Sequence, residues 1–197
     1  MRRFRTGIPP GAGGNGLHFL RSSAKCWLRG FSLTETVVVM AIAAILAGIA
    51  VPSFAALMRE TRLTAVTNDL LSTLYFARSE ALKRSRRVTV CTSATHTDCA
   101  ENIGWQHGWI VFEDRDGDGQ HGAAEPILAV LARQTSGLTM SGNASLRDYI
   151  SYVPTGETRS RGGALQMGTV TVCDEGSARR IVIAATGRPR IVNRATC

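Results

Sequence analysis

"RGFSLTETVVVMAIAAILAGIAVP", residues 29–52, decides the fold. From Thr36 to Met58 the chain holds 23 residues without a charge, which meets the roughly 20 apolar residues a helix needs to cross a bilayer. Gly30 precedes this run and a single acid, Glu35, stands at its entrance. A carboxylate at the edge of the hydrocarbon is costly to insert, so Glu35 requires something that offsets it.

Upstream, residues 1–30 carry Arg2, Arg3, Arg5, Arg21, Lys25 and Arg29 and no acid, which accounts for six of the eight net positive charges. The other 167 residues are close to balanced, with 17 bases against 15 acids. A basic flank ahead of an apolar run is retained on the cytoplasmic side. The chain is therefore expected to pass once through a membrane, with everything after residue 58 outside the cytoplasm. The stretch "GIPPGAGGNG" at 7–16 reads as unstructured. It spells G-x-G-x-x-G, but it follows no strand and opens no helix, so it carries no nucleotide-site meaning.

Beyond Pro52 the apolar residues become periodic. Leu63, Val66, Leu70, Leu74, Ala77 and Ala81 step by three or four, with Arg62, Asp69 and Arg84 on the other face. The membrane helix is expected to continue as an amphipathic one over 59–87, kinked at Pro52, and to end near "KRSRR" at 83–87, where cations suit a helix C-terminus. Short segments rich in β-branched and aromatic residues follow: "RVTVC", "GWIVF", "PILAVLA", "YISYVP", "GTVTVC" and "RRIVIAA". A long helix followed by strands predicts an α+β domain at 88–197, with an antiparallel sheet packed on the amphipathic face.

Cysteine usage fits export. Cys26 lies in the basic flank, whereas Cys91, Cys99, Cys173 and Cys197 fall on the outer side, where an oxidising compartment permits disulfides. Four cysteines allow three connectivities. Pairing Cys91 with Cys99 and Cys173 with Cys197 closes two local loops and is the preferred arrangement; spacing alone does not decide among the three.

The segment around Gly30 resembles the prepilin signal of type IV pilins and pseudopilins. That resemblance implies cleavage by a prepilin peptidase between Gly30 and Phe31, methylation of the new amino terminus, and a Glu35 neutralised by a Phe31 amine in an assembling filament. The 30-residue leader is longer than is usual for the family. No methionine falls between Met1 and Met40, so a shorter leader requires another start codon, with Leu20 a candidate.

Four further segments narrow the likeness: "ARSEALKRSRRVTVC" at 77–91, "GWIVFEDRDGDG" at 108–119, "YVPTGETR" at 152–159 and "IVIAATGRPRI" at 181–191. Together they resemble the FimT and GspH family of minor pilins and pseudopilins. The resemblance implies a type IV pilin-like fold and other pilin subunits as partners.

Asp114, Asp116, Asp118 and Glu125 occupy positions 1, 3, 5 and 12 of an EF-hand-like pattern, with Gly119 at the turn. Two readings of this loop stand together. It holds calcium, or it is a solvated hairpin loop whose Asp-Gly pairs build turns through their own hydrogen bonds; no cofactor is otherwise expected. Trp105 and Trp109 suit base stacking or the core of a sheet, and the core is preferred. His18, His96, His107 and His121 have no zinc-like grouping. No nucleophile, base and orienter can be assembled by role, so no enzyme is expected.

From Arg159 to Cys197 there are seven arginines and two acids. Arginine forks bind phosphate oxygens in a bidentate way that lysine does not. In "GRPR", Pro189 disfavours helix at Arg188 and fixes its own φ. An extended chain would then project Arg188 and Arg190 to one side, about 6.8 Å apart, while Gly187 lets the chain turn beforehand. If Cys173 and Cys197 pair, these arginines sit on a stapled C-terminal loop. Without a family in view, such a pair also reads as a solvated turn.

The G-R-x-R pattern resembles the tail that FimT-type minor pilins use to bind DNA during natural transformation. It implies extracellular double-stranded DNA as a partner, held without sequence preference by Gly187, Arg188 and Arg190 with help from Arg179, Arg180 and Arg194. The alternative is a GspH-type structural pseudopilin of a type II secretion system that does not touch DNA.

Overall fold

The structure is a computed structural model that describes residues 30–132 and 137–197, the side chains of 193–196 excepted. Residues 1–29 of the expected 30-residue leader lie outside the described residues.

Helix α1 runs from Leu33 to Arg84. Ser32 caps it: its Oγ accepts the Glu35 N–H at 3.2 Å, and its carbonyl accepts the Thr36 N–H at 3.1 Å. Ser32 and Glu35 have the S-x-x-E spacing of a capping box, and an acid in the first turn faces the positive end of the helix dipole. Glu35 thus has a local reason to stand where it does. Two compact units divide the chain at Ile45 and Leu46. The helix continues unbroken through Pro52. Every residue from Gly30 to Thr61 is exposed, as an apolar segment that meets lipid or another subunit should be.

From Leu63 onward the helix has a buried face. Leu63, Val66, Leu70, Leu74, Ala77 and Ala81 lie on it, and so do Thr67, Thr73 and Glu80, three polar residues that the apolar periodicity hid. Thr67 returns its hydroxyl to the Leu63 carbonyl at 2.6 Å. After Arg84, Ser85 takes a φ of 51°, the left-handed turn that commonly ends a helix.

Among the described residues eight strands follow: β1 Val88–Thr92, β2 Trp109–Glu113, β3 Ile127–Leu131, β4 Leu138–Gly142, β5 Tyr149–Tyr152, β6 Gly168–Asp174, β7 Ser177–Ile183 and β8 Pro189–Thr196. They form two antiparallel sheets in the orders β3-β2-β1-β5 and β4-β6-β7-β8. One core unites the helix face with the inner faces of both sheets, including Val90, Val111, Ile150, Met140, Val172 and Ile181. Trp105, in a single 3₁₀ turn at Trp105–His107, and Trp109 are fully buried and meet edge to face with ring centroids 6.3 Å apart. Trp105 donates its indole N–H to the Leu146 carbonyl at 3.0 Å, and Trp109 donates to Thr73 Oγ1 at 3.2 Å. These rings are core, so base stacking is excluded for them.

Behind the first sheet, Cys91, Ile110 and Phe112 form a smaller cluster that packs with Cys99. The Cys91–Cys99 disulfide brings Cα atoms to 5.6 Å. Cys173 stands against Cys197 with Cα atoms 5.8 Å apart, within the span of a disulfide.

Candidate nucleic-acid interface

The GRPR segment closes the β7–β8 hairpin of the second sheet: Gly187 and Arg188 lie in its turn, and Pro189 and Arg190 open β8. Pro189 begins β8, which pairs with β7 through Ile183↔Pro189 and Val182↔Arg190. Because β8 lies at the sheet edge, a residue without an N–H is tolerated there. Between the strands, Gly187 N–H donates to the Ala184 carbonyl at 2.9 Å and Ala184 N–H donates to the Arg188 carbonyl at 3.2 Å.

Gly187 has a φ of 75°. A Cβ there would fall inside contact distance of the Gly156 carbonyl oxygen and 3.0 Å from Glu157 Cα. The turn therefore admits only glycine, for its backbone angle and for the close approach of a second loop.

Two helix side chains hold the hairpin from below. Tyr75 donates its hydroxyl to the Pro189 carbonyl at 2.9 Å, and Arg78 Nη2 donates to the Thr186 carbonyl at 3.3 Å. Sequence reasoning missed both, because a polar residue on the rim of an amphipathic helix looks the same whether it meets solvent or a carbonyl.

The strand alternation sorts the arginines. Arg188 and Arg190 are exposed while Pro189 between them is buried. Neighbours on a strand face opposite sides of the sheet, so Arg180 is exposed on the outward face whereas Arg179, opposite the core residue Val172, is turned inward. Arg179 forms an ion pair with Glu60 on the helix, and Arg59 pairs with Glu175 at 2.8 Å. The sequence reading grouped Arg179 with the DNA contacts; the structure gives it a carboxylate partner on the opposite face. Arg159 pairs with Glu157 at 2.7 Å. Arg161 pairs with Glu101 at 3.3 Å and lies over the Tyr149 ring, 4.7 Å from its centroid. The side chain of Arg194 lies outside the described residues. Among the described arginines of the last third, Arg180, Arg188 and Arg190 have no ion pair.

The acidic loop lies on the other sheet. Asp114, Asp116 and Asp118 each bring a carboxylate oxygen within 4.8 Å of the others. Asp114 is buried and accepts from Gly117 N–H at 2.7 Å, Gly119 N–H at 3.2 Å and the Thr89 hydroxyl at 2.7 Å. Burial, with a smaller contribution from Glu125, raises its pKa above the ordinary value, against the lowering effect of the Thr89 and Gly117 hydrogen bonds and of Arg87. Glu125 does not join this 4.8 Å group, although its charge acts on Asp114. Its two oxygens accept the Arg115 N–H at 2.6 Å and the Gly122 N–H at 2.9 Å, a use that closes the loop on itself.

A second polar cluster joins helix to sheet. Glu80 meets Arg84 at 2.5 Å and Lys83 at 3.6 Å, while Glu113 meets Arg115 at 3.0 Å and Arg84 at 3.5 Å. Hydrogen bonding to Arg84 holds the Glu80 carboxyl below its ordinary range, and Arg115 does the same for Glu113. These groups pair with one another and tie the helix end to β2.

Comparison with known proteins adds the following. The family described as "Type II transport protein GspH" matches residues 66–187, and the prokaryotic N-terminal methylation motif matches residues 29–51. No curated protein matches the chain significantly. Among solved structures, the type IV minor pilin FimU of Pseudomonas aeruginosa is similar at 19% identity and a TM-score of 0.47, over 69% of this chain and 90% of that one. A second crystal form of FimU has 19% identity and a TM-score of 0.46, over 66% and 92%. The minor pseudopilin EpsH of the Vibrio cholerae Type 2 Secretion System is similar at 11% identity and a TM-score of 0.46, over 67% and 97%.

Proposed function

The chain belongs to the GspH family of minor pilins and pseudopilins, and from that premise we propose that it is a minor type IV pilin that binds extracellular double-stranded DNA in natural transformation. Its apolar N-terminal helix and prepilin-type motif fit an inner-membrane anchor with a periplasmic domain. Cleavage after Gly30 by a prepilin peptidase and methylation at Phe31 belong to the same proposal.

One observation carries the DNA reading. Arg188, in the turn, and Arg190, on β8, stand exposed on either side of the buried Pro189, unpaired among the described residues, on a hairpin held by Tyr75, Arg78 and the Gly187 contact. Guanidinium groups placed this way meet phosphate oxygens and read no bases, so binding is indifferent to sequence.

The test is a titration of labelled duplex DNA with the full chain in neutral detergent at several salt concentrations. Two neutralised phosphates give a log–log salt slope of about −1.8, and three give about −2.7. An Arg188→Ala, Arg190→Ala double variant is expected to lose most of the affinity. Binding that ignores salt, or that survives the double substitution, overturns the proposal.

The family description itself favours a second reading, a structural pseudopilin of a type II secretion system. Under that reading the hairpin is a subunit contact, and the full chain leaves duplex DNA unbound at physiological salt.

A further inference from the structure

We propose that a shallow depression on the outward face of the second sheet is a further phosphate subsite, and that the DNA backbone runs from the hairpin arginines across β7 and β6 into it. The depression has a volume of about 360 Å³ and is lined by Ser141, Gly142, Asn143, Thr169, Thr171 and Arg180. This rests on the DNA reading of the hairpin and extends it from a pair of charges to a track.

Register places the donors in order. Ser141 is opposite Thr171, Thr171 opposite Arg180, and Arg180 opposite Val192. The adjacent row joins Thr169, Val182 and Arg190. Arg180 is thus the diagonal neighbour of Arg190, about 7–8 Å away. Thr171 and Ser141 continue the line in steps of about 4.8 Å, the spacing of paired strands.

Charge thus occupies the β7–β8 side of the face, and neutral hydroxyl and amide donors occupy the β6–β4 side. Serine, threonine and asparagine side chains are common donors to phosphate and sugar oxygens. The Asn143 amide lies over Gly168, where a Cβ would collide with it, and its backbone N–H is fixed to the Thr169 carbonyl at 3.0 Å.

What the face lacks also matters. Among the described residues no carboxylate lines the depression, so nothing there repels a polyanion. No aromatic ring lines it either, so bases have no platform to stack on. A surface of this composition recognises a phosphodiester backbone, with the bases left paired inside a duplex.

The experiment compares four full-length proteins in neutral detergent by fluorescence anisotropy on a mixed-sequence duplex longer than one helical turn. They are the wild type, Arg180→Gln, a Thr171→Val plus Ser141→Ala double variant, and the Arg188→Ala plus Arg190→Ala double variant. Arg180→Gln is expected to weaken binding about tenfold and to reduce the magnitude of the salt slope by about 0.9. Removing the two hydroxyls is expected to weaken binding about three- to tenfold with the slope unchanged, because hydrogen bonds are lost but no charge.

If both face variants bind like wild type while the hairpin variant fails, the subsite is wrong and the hairpin reading stands. If the hairpin variant binds normally, both readings fall. A parallel measurement on phosphatidylglycerol vesicles separates a lipid source of the phosphate. Loss of vesicle binding in Arg180→Gln, with duplex binding intact, overturns the nucleic-acid track.

Discussion

Gly187→Ala is the perturbation that most directly probes how the hairpin is held. At a φ of 75° an added Cβ makes the left-handed backbone unfavourable, by about 1–2 kcal/mol for an L-residue. The same Cβ meets the backbone of Gly156 and Glu157, which cannot swing aside as a side chain would. Forcing atoms into packed structure costs about 1–3 kcal/mol, so the total is about 2–5 kcal/mol. For a domain of this size, each kcal/mol lowers the thermal midpoint by about 2–4 °C, and the expected drop is about 4–20 °C.

Two glycines separate the contributions. Gly176 has a φ of 92° with nothing within 4 Å of a new Cβ, and Gly162 has open space and no such angle. Gly176→Ala should therefore show the backbone cost alone, about 1–2 kcal/mol, and Gly162→Ala should stay within about 0.5 kcal/mol of wild type. The assay is thermal unfolding of the full chain in detergent, followed by fluorescence of the buried Trp105 and Trp109. A Gly187→Ala protein that melts alongside Gly162→Ala would refute the close-approach reasoning.

Thr73→Val leaves the buried Trp109 N–H without its acceptor and should cost about 1–3 kcal/mol in urea unfolding, whereas Thr73→Ser, which retains the hydroxyl, should recover most of it. Glu80 and Glu113 have lowered pKa values in the folded chain, so their contribution is complete above their ordinary value of 4.5 and is lost as pH falls below it; Glu80→Gln should flatten that acid limb in a stability titration. Asp114 acts with the opposite sign: its carboxyl is raised by burial, so its contribution is complete below its ordinary 3.8 and declines as pH rises through the raised value. Asp114→Asn should therefore remove a fall in stability between pH 3.8 and that raised value. Calcium added to chelator-treated protein should leave the thermal midpoint where it was, because Glu125 spends both oxygens on backbone N–H groups; a concentration-dependent rise would establish Asp114, Asp116 and Asp118 as ligands.

Much of the fold was legible in local pattern. The uncharged run at 36–58 and the three-and-four spacing from Leu63 to Ala81 are one-dimensional signals, because a single helix decides them. Six strands were readable for the same reason, being short β-branched runs bounded by turn residues. β4 and β8 were not. "LTMSG" is polar at alternate positions with a terminal glycine, and "PRIVNRAT" opens on proline and carries two arginines. Such sequences become strands only where a neighbour offers a ladder, as β6 does for β4 and β7 for β8.

The arginine tail divides the same way. Residue type and spacing alone placed guanidinium groups near the C-terminus, and an extended GRPR could be expected from proline chemistry. Which arginines remain without a carboxylate was a matter of tertiary structure. Pairing register sends Arg179 inward to Glu60 and Arg180 outward. The helix carbonyl clamps from Tyr75 and Arg78, and the Gly156 loop against Gly187, come from residues far apart in the chain. A sequence records what each residue can do. Which face a strand shows, and which partner lies within reach, exist only once distant segments have packed together.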